Sequence, residues 1–161
     1  MQKFKVGINT PLDVRALPGG KMWEMLSDYI YLAPKELGGD LIVVWEGAQH
    51  DFASIPPIAW RLIGPPATGK YRDAAPVHDI LYRAHYKDNR KLCDQIFLDI
   101  MKRSGVKRWR RNLMYSIVRL FGAIPYKRNA VGLIKEYRKC LEEGKQRYGF
   151  DAKGDSFYIT P

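Results

Sequence analysis

Apolar residues change their spacing once along this chain, from alternation and short runs in the first fifty residues to helical recurrence beyond them. Lys3 to Ile8 alternates weakly, and Thr10-Pro11-Leu12 and Pro18-Gly19-Gly20 mark turns. Trp23 to Leu26 and Tyr29 to Ala33 are aromatic and β-compatible, with Ser27-Asp28 as a hairpin turn between them. Gly38-Gly39-Asp40 leads into Leu41-Ile42-Val43-Val44-Trp45, the clearest strand. The pattern predicts a small antiparallel sheet of about three or four strands.

Beyond the loop from Glu46 to Ile55, a short helix is expected over Pro56 to Ile63. Asp73 is a good N-cap for the next helix, with Pro76 in its first turn. His78, Leu81, Tyr82 and His85 follow at i, i+3, i+4 and i+7, so they share a face. A polar stretch ends that helix, and Asp88 or Asn89 can cap another, whose buried stripe is Asp94, Phe97, Leu98 and Met101. Gly105 stands where a C′ glycine belongs. Val106 to Phe121 places Trp109, Leu113, Ser116, Ile117 and Leu120 near one face, read as core packing in preference to a membrane-surface helix. Gly122 to Pro125 is a break, and Asn129 to Gly144 gives a last helix with Leu133, Tyr137 and Leu141 in its stripe. The expectation is one α+β domain over 1–161: mainly strands over 1–50, mainly helices over 56–146, and an irregular tail over 147–161 that packs on the sheet or on a neighbouring subunit.

The chain has 161 residues, 46% hydrophobic and 27% charged, an ordinary globular balance. Its two cysteines, Cys93 and Cys140, are far apart and lack metal-ligand spacing, which points to a reducing compartment, the cytoplasm of synthesis. No apolar run reaches membrane-spanning length, and the N-terminus has no signal-peptide core. The net charge of +10 is concentrated in the C-terminal half and implies affinity for a polyanion, with specific nucleic-acid binding the less favoured choice. Lys107, Arg108, Arg110 and Arg111 crowd a helix start, where cations are disfavoured. They ask for an anionic partner, Asp99 or an external phosphate.

The chemistry concentrates on the two helices after Asp73. Asp94 stands in line with Phe97, Leu98 and Met101, an expensive place for a carboxylate unless a partner compensates it. Antiparallel packing would bring it to His78, and a carboxylate fixing an imidazole tautomer makes a general base. Tyr82 completes the candidate catalytic set of His78, Asp94 and Tyr82. Asp79 lies about 100° around the helix from His78, placed to meet a metal or a phosphate. The loop with His50, Asp51 and free carbonyls suits an oxygen-ligated metal completed by Asp79. Its plainer reading makes Asp51 and Ser54 a capping pair. Gly64-Pro-Pro-Ala-Thr-Gly69-Lys70 fits G-x-x-x-x-G-K but is rejected as a nucleotide loop. Tyr71 stands where Ser or Thr must hold magnesium, two prolines remove loop amides, and no convincing strand precedes it.

Two resemblances bear on these residues. His78-Asp79-x-x-Tyr82-Arg83, followed by Asp94-x-x-Phe97, resembles the paired active-site helices of the phospholipase A₂ superfamily, notably its bacterial, fungal and parvoviral branches. That resemblance implies His78 as the base that activates water, Asp79 as a calcium ligand and Asp94 as the carboxylate orienting His78. The superfamily's glycine-rich calcium loop and disulfides are missing, so a different loop, Asp51 to Ile55, would substitute. Over roughly Trp23 to Gly122, Asp51-Phe52-Ala53-Ser54-Ile55-Pro56, Trp60, Ala74-Ala75-x-Val77-His78-Asp79-x-Leu81-Tyr82 and Asp94-x-x-Phe97 resemble the domain-of-unknown-function family 1353, which implies a bacteriophage or prophage origin.

Three functions follow as expectations. The first is a metal-assisted hydrolase resembling phospholipase A₂, acting on phospholipid esters at an anionic surface, with Asp79 and Asp51 holding calcium. The second is a non-enzymatic phage tail or tail-assembly protein, virion-associated, whose His/Asp cluster is a buried network or structural metal site. The third is a phosphohydrolase using His50, His78, Asp79 and Asp94, against which the β-rich setting of His50 argues.

Overall fold

The computed structural model describes residues 5–51, 69–128 and 131–148. The expected α+β architecture is present: short antiparallel strands first, then helices. The strands are β1 (Gly7–Ile8), β2 (Val14–Ala16), β3 (Trp23–Met25), β4 (Tyr29–Leu32), β5 (Leu41–Val44) and β6 (Gln49–His50). They form two three-stranded sheets, β1-β4-β5 and β2-β3-β6, where one sheet was expected. Ser27-Asp28 is therefore not a hairpin turn, because β3 and β4 belong to different sheets. The Asp28 carboxylate instead accepts from the Glu46 amide, Arg147 and the Tyr148 hydroxyl, which pins a crossover between the sheets.

In the β4–β5 register Tyr29 pairs with Val44 and Tyr31 with Ile42, while Ile30 pairs with Val43 and Leu32 with Leu41. The first set joins the main core with the helices, and the second forms a smaller cluster completed by Val6 and Tyr148. Both faces are covered, which is why β5 reads as an unbroken apolar run.

Helices α1 (Ala75–Arg83), α2 (Arg90–Arg103), α3 (Arg108–Phe121), α4 (Ala123–Lys127) and α5 (Val131–Arg147) follow. Asp73 does not cap α1; a 3₁₀ turn over Lys70–Ala74 leads directly into it, and the Asp73 carbonyl accepts from the Tyr29 hydroxyl. Asn89 caps α2 by accepting from the Leu92 amide, and Gly105 adopts φ +74° just past its end. His85 lies beyond α1 rather than on its face. At φ 45° it opens a connection in which Lys87 and Asp88 are also left-handed. Such backbone is costly for non-glycine residues and needs outside support. Arg138 of α5 supplies it, donating to the Ala84 carbonyl at 2.7 Å, the His85 carbonyl at 2.9 Å and Asp88 at 2.6 Å.

The core face of α3 is Met114, Ile117 and Val118, whereas Trp109, Ser116 and Leu120 are exposed. Of the expected stripe, Ile117 is therefore in the core and Leu113 packs half-buried against it, while the other three positions face outward. Asp99 is occupied by Tyr31 and Arg103, so it does not neutralise the basic start of α3. Beyond Gly122 the chain turns directly into α4, whose first turn accepts Pro125. In α5 the inward line runs through the half-buried Ile134 and Tyr137 to the buried Leu141 and Gly144, and Leu133 is exposed. Gly144 does not end that helix; a methyl there would meet Val43, so the glycine lets α5 lie close on β5. The Pro56–Ile63 helix, Trp60, Ser54 with the loop to Ile55, Gly64 to Thr68, Asn129 and the tail from residue 149 lie outside the described residues.

Arg138→Ala should lower unfolding stability by about 1–3 kcal/mol, since it removes charge-assisted bonds from a strained turn. A urea midpoint unchanged from wild type would show that the connection holds itself.

Candidate functional site

His78 and Tyr82 lie one turn apart on α1, on the face towards α2. The ring of His78 meets Phe97 at 4.7 Å, while the Tyr82 hydroxyl reaches Asp94. The earlier residue of α1 thus meets the later residue of α2, and the helices run antiparallel. This brings together the three candidate catalytic residues. His78 Nε2 lies 2.9 Å from Asp94 Oδ1, and the Tyr82 hydroxyl donates to the same oxygen at 2.5 Å.

The other carboxylate oxygen is held from two further directions. Arg119 of α3 donates to Asp94 Oδ2 at 2.7 Å, and Arg90 contacts it at 3.4 Å from one turn earlier on α2. Arg90 also donates to the Val118 and Arg119 carbonyls, capping the end of α3. Gly122 is the tight point of this junction, because a methyl there would collide with the Tyr82 hydroxyl.

Asp94 has no exposed surface and His78 is 1% exposed. Burial alone would push the Asp94 carboxyl up, but hydrogen bonds from His78, Tyr82 and Arg119 outweigh it and hold the group below its ordinary value. Burial also lowers the His78 pKa, and this outweighs the opposing pull of Asp94. An ionised carboxylate can only accept, so the neutral imidazole carries its proton on Nε2. That leaves the lone pair on Nδ1, an atom with no hydrogen-bond partner among the described residues. The arrangement is a neutral imidazole of fixed tautomer with one basic nitrogen unused.

Asp79 sits elsewhere on α1. Its Oδ2 lies 2.8 Å from Arg83, which also donates to the Gln49 carbonyl at 2.8 Å and the Tyr137 hydroxyl at 3.0 Å. Burial pushes the Asp79 carboxyl up to about 7, against the attraction of Arg83; the Asp51 charge pushes the same way and the Asp51 amide opposes it. The structure thus places Asp51 beside Asp79. His50 is buried on β6 opposite Trp23, with burial and then Arg83 lowering its pKa to about 4. Among the described residues no three His, Cys, Asp or Glu side chains are grouped to hold a metal ion. Cys93 is buried with its thiol pushed up to about 12 by burial, which makes it inert.

Sequence reasoning missed Arg83, Arg90, Arg119 and Gly122. Arg83 and Arg90 were legible in principle, since each stands four residues from its aspartate on a helix. Arg119 arrives from another helix, and no local spacing signals it. A separate cavity of about 360 Å³, bordered by Asp40, Tyr86, Lys87, Arg138 and Lys145, was also not foreseen. Its Asp40 is already engaged by Lys87, Lys145 and Tyr86.

A family model described as "Protein of unknown function (DUF1353)" matches residues 23–118, a span that contains His78, Asp79, Tyr82 and Asp94. No curated protein and no solved structure matches the chain.

Asp79 gives the site a pH signature. Its carboxyl moves from an ordinary 3.8 to about 7 on folding, so between these values the native state keeps a proton that the unfolded chain has released. Stability therefore falls as pH rises through that window. Asp79→Asn lacks the effect, and its Tm relative to wild type should climb from about pH 4 to about pH 7 and then level. His50 contributes an opposite slope to both proteins, which cancels in the difference. A difference that stays flat across the window would contradict the assignment.

Proposed function

Because the chain belongs to the family of proteins of unknown function DUF1353, we propose its activity from the geometry: hydrolysis of an ester, with His78 as general base, on phospholipid presented at an anionic surface. The supporting observation is the His78–Asp94 pair, in which Nε2 is held by an ionised carboxylate and Nδ1 is left unused. A water on Nδ1 would give up its proton there as its oxygen attacks the ester carbonyl. The leaving alcohol would then take that proton from Nδ1, while Nε2–H stays with Asp94 throughout. Tyr82 and Arg119 are positioning residues in this reading: both donate to Asp94, and the Tyr82 ring also packs on the imidazole with centroids 4.1 Å apart. A phage or prophage setting, with synthesis in the host cytoplasm, belongs to the same proposal.

Calcium is the cofactor that the phospholipase A₂ resemblance implies, held by Asp79 with Asp51. These residues do not fit it in the arrangement observed. The Arg83 guanidinium, anchored also by Gln49 and Tyr137, stands at Asp79 Oδ2 where a cation would sit.

A second reading is favoured by the depth of the cluster. With His78 1% and Asp94 0% exposed, the network suits a structural element of a phage tail or tail-assembly protein. The two readings separate on turnover. On vesicles of anionic phospholipid, the wild-type chain should release fatty acid at a rate that chelator leaves unchanged. His78→Ala should lower that rate about a thousandfold or more while the protein stays folded. A folded wild-type chain that releases none, with calcium or with chelator, would end the hydrolase reading. Asp94→Asn, which leaves two arginines uncompensated, would then register only as about 3–5 kcal/mol of lost stability.

A further inference from the structure

The exposed apolar residues of this chain are not scattered. Apart from Leu26, every large hydrophobic side chain that stands exposed among the described residues lies between Trp109 and Leu133. Leu120 is 74% exposed, Phe121 54%, Ile124 62% and Trp109 60%. Trp109, the half-buried Leu113, the polar Ser116 and Leu120 recur at i, i+4, i+7 and i+11, along one line of α3. It ends at the corner where Leu120, Phe121 and Ile124 meet the start of α4. Isolated exposed apolar residues need no explanation, but Leu120, Phe121 and Ile124 exposed together in so short a stretch do.

The charge excess occupies the same stretch. From Ile100 to Lys135 there are ten Lys and Arg residues and no Asp or Glu, which equals the net charge of +10 for the whole chain. Lys107, Arg108, Lys127 and Arg128 are exposed and have no ion pair among the described residues.

We propose that α3 and α4 dock this protein on an anionic lipid bilayer, with Leu120, Phe121 and Ile124 entering the interface and Lys107, Arg108, Lys127 and Arg128 meeting the headgroups. Charge selects among the occupants. A second copy would set one basic stretch, with ten cations and no acid of its own, against another, and the two would repel. A nucleic acid would satisfy the cations and could stack on Trp109 or Phe121, but Leu120 and Ile124 would gain only by wedging between base steps, at an unstacking cost that a bilayer does not impose. A bilayer with anionic headgroups satisfies both halves of the surface.

The face also adjoins the candidate site. Arg119, immediately before Leu120, donates to Asp94, and the Tyr126 ring of α4 meets Tyr82 at 5.3 Å. Docking there would hold the His78 network at the rim of the lipid surface; that use, unlike the docking itself, rests on the hydrolase reading.

The test is binding without turnover. The full chain would be sedimented with vesicles of phosphatidylcholine alone and of phosphatidylcholine with phosphatidylglycerol, alongside His78→Ala, the Leu120→Ser/Phe121→Ser/Ile124→Ser triple variant and the Lys107→Gln/Arg108→Gln double variant. Wild type and His78→Ala should bind the anionic vesicles equally, weaken as salt rises, and leave the neutral ones alone. The triple variant should bind at least tenfold more weakly, and each cation removed should cost about fivefold. Trp109 emission should shift to the blue on binding and not in the triple variant. No anionic-vesicle binding by a folded wild type overturns the proposal. So does duplex DNA binding that the triple variant retains, which assigns the surface to nucleic acid. A wild-type dimer that the triple variant loses assigns it to a second copy.

Discussion

A carboxylate with no exposed surface has to be neutralised on every side, and the helical half of this protein is arranged to do that for Asp94. His78 and Tyr82 of α1 supply one oxygen, and Arg119 of α3, supported by Arg90, supplies the other. Removing any one donor leaves a charge in a low-dielectric core, where an uncompensated ion is far more costly than a lost surface pair. The same need fixes where three helices meet. It keeps Gly122 without a side chain beside Tyr82, and it leaves the imidazole only one orientation. Site chemistry and helix packing are therefore one constraint.

The Asp94 alignment could be read in advance because it is local. A helical period on either side of a short capped connection puts an aspartate in an apolar stripe opposite a histidine, and that carboxylate must find a donor. What could not be read is carried by contacts distant in sequence. Ser27-Asp28 has the composition of a hairpin turn, yet Asp28 is bound by Arg147 and Tyr148, and β3 and β4 part into different sheets. The stripe of α3 was right at Ile117 and Leu113 but took in Trp109, Ser116 and Leu120 where Met114 and Val118 complete the core line. Met114 and Val118 are as apolar as Leu113 and Leu120, and periodicity alone does not choose between neighbouring faces. Arg119, the strongest charged partner of Asp94, comes from that same helix and gave no local sign.

Residues assigned to the interior, Trp109 and Leu120, instead join Phe121 and Ile124 on a basic outer ridge next to the dyad. Asp79, assigned to a metal, is held by an arginine on its own helix. The fold thus sets an imidazole of fixed tautomer one helix away from a basic stretch with exposed apolar side chains, and an arginine against Asp79.

The account depends on the protonation state that Asp94 imposes on His78, and nitrogen NMR of the histidine side chains reads it directly. Near pH 7.5, above the ordinary histidine range, His78 should show a protonated, pyrrole-type Nε2 and an unprotonated, pyridine-type Nδ1, since burial holds its pKa below the ordinary 6.5. Asp94→Asn should disturb that pattern. A His78 protonated on both nitrogens at that pH, or a neutral ring with its proton on Nδ1, would contradict the claim that Asp94 holds this imidazole as a ready base.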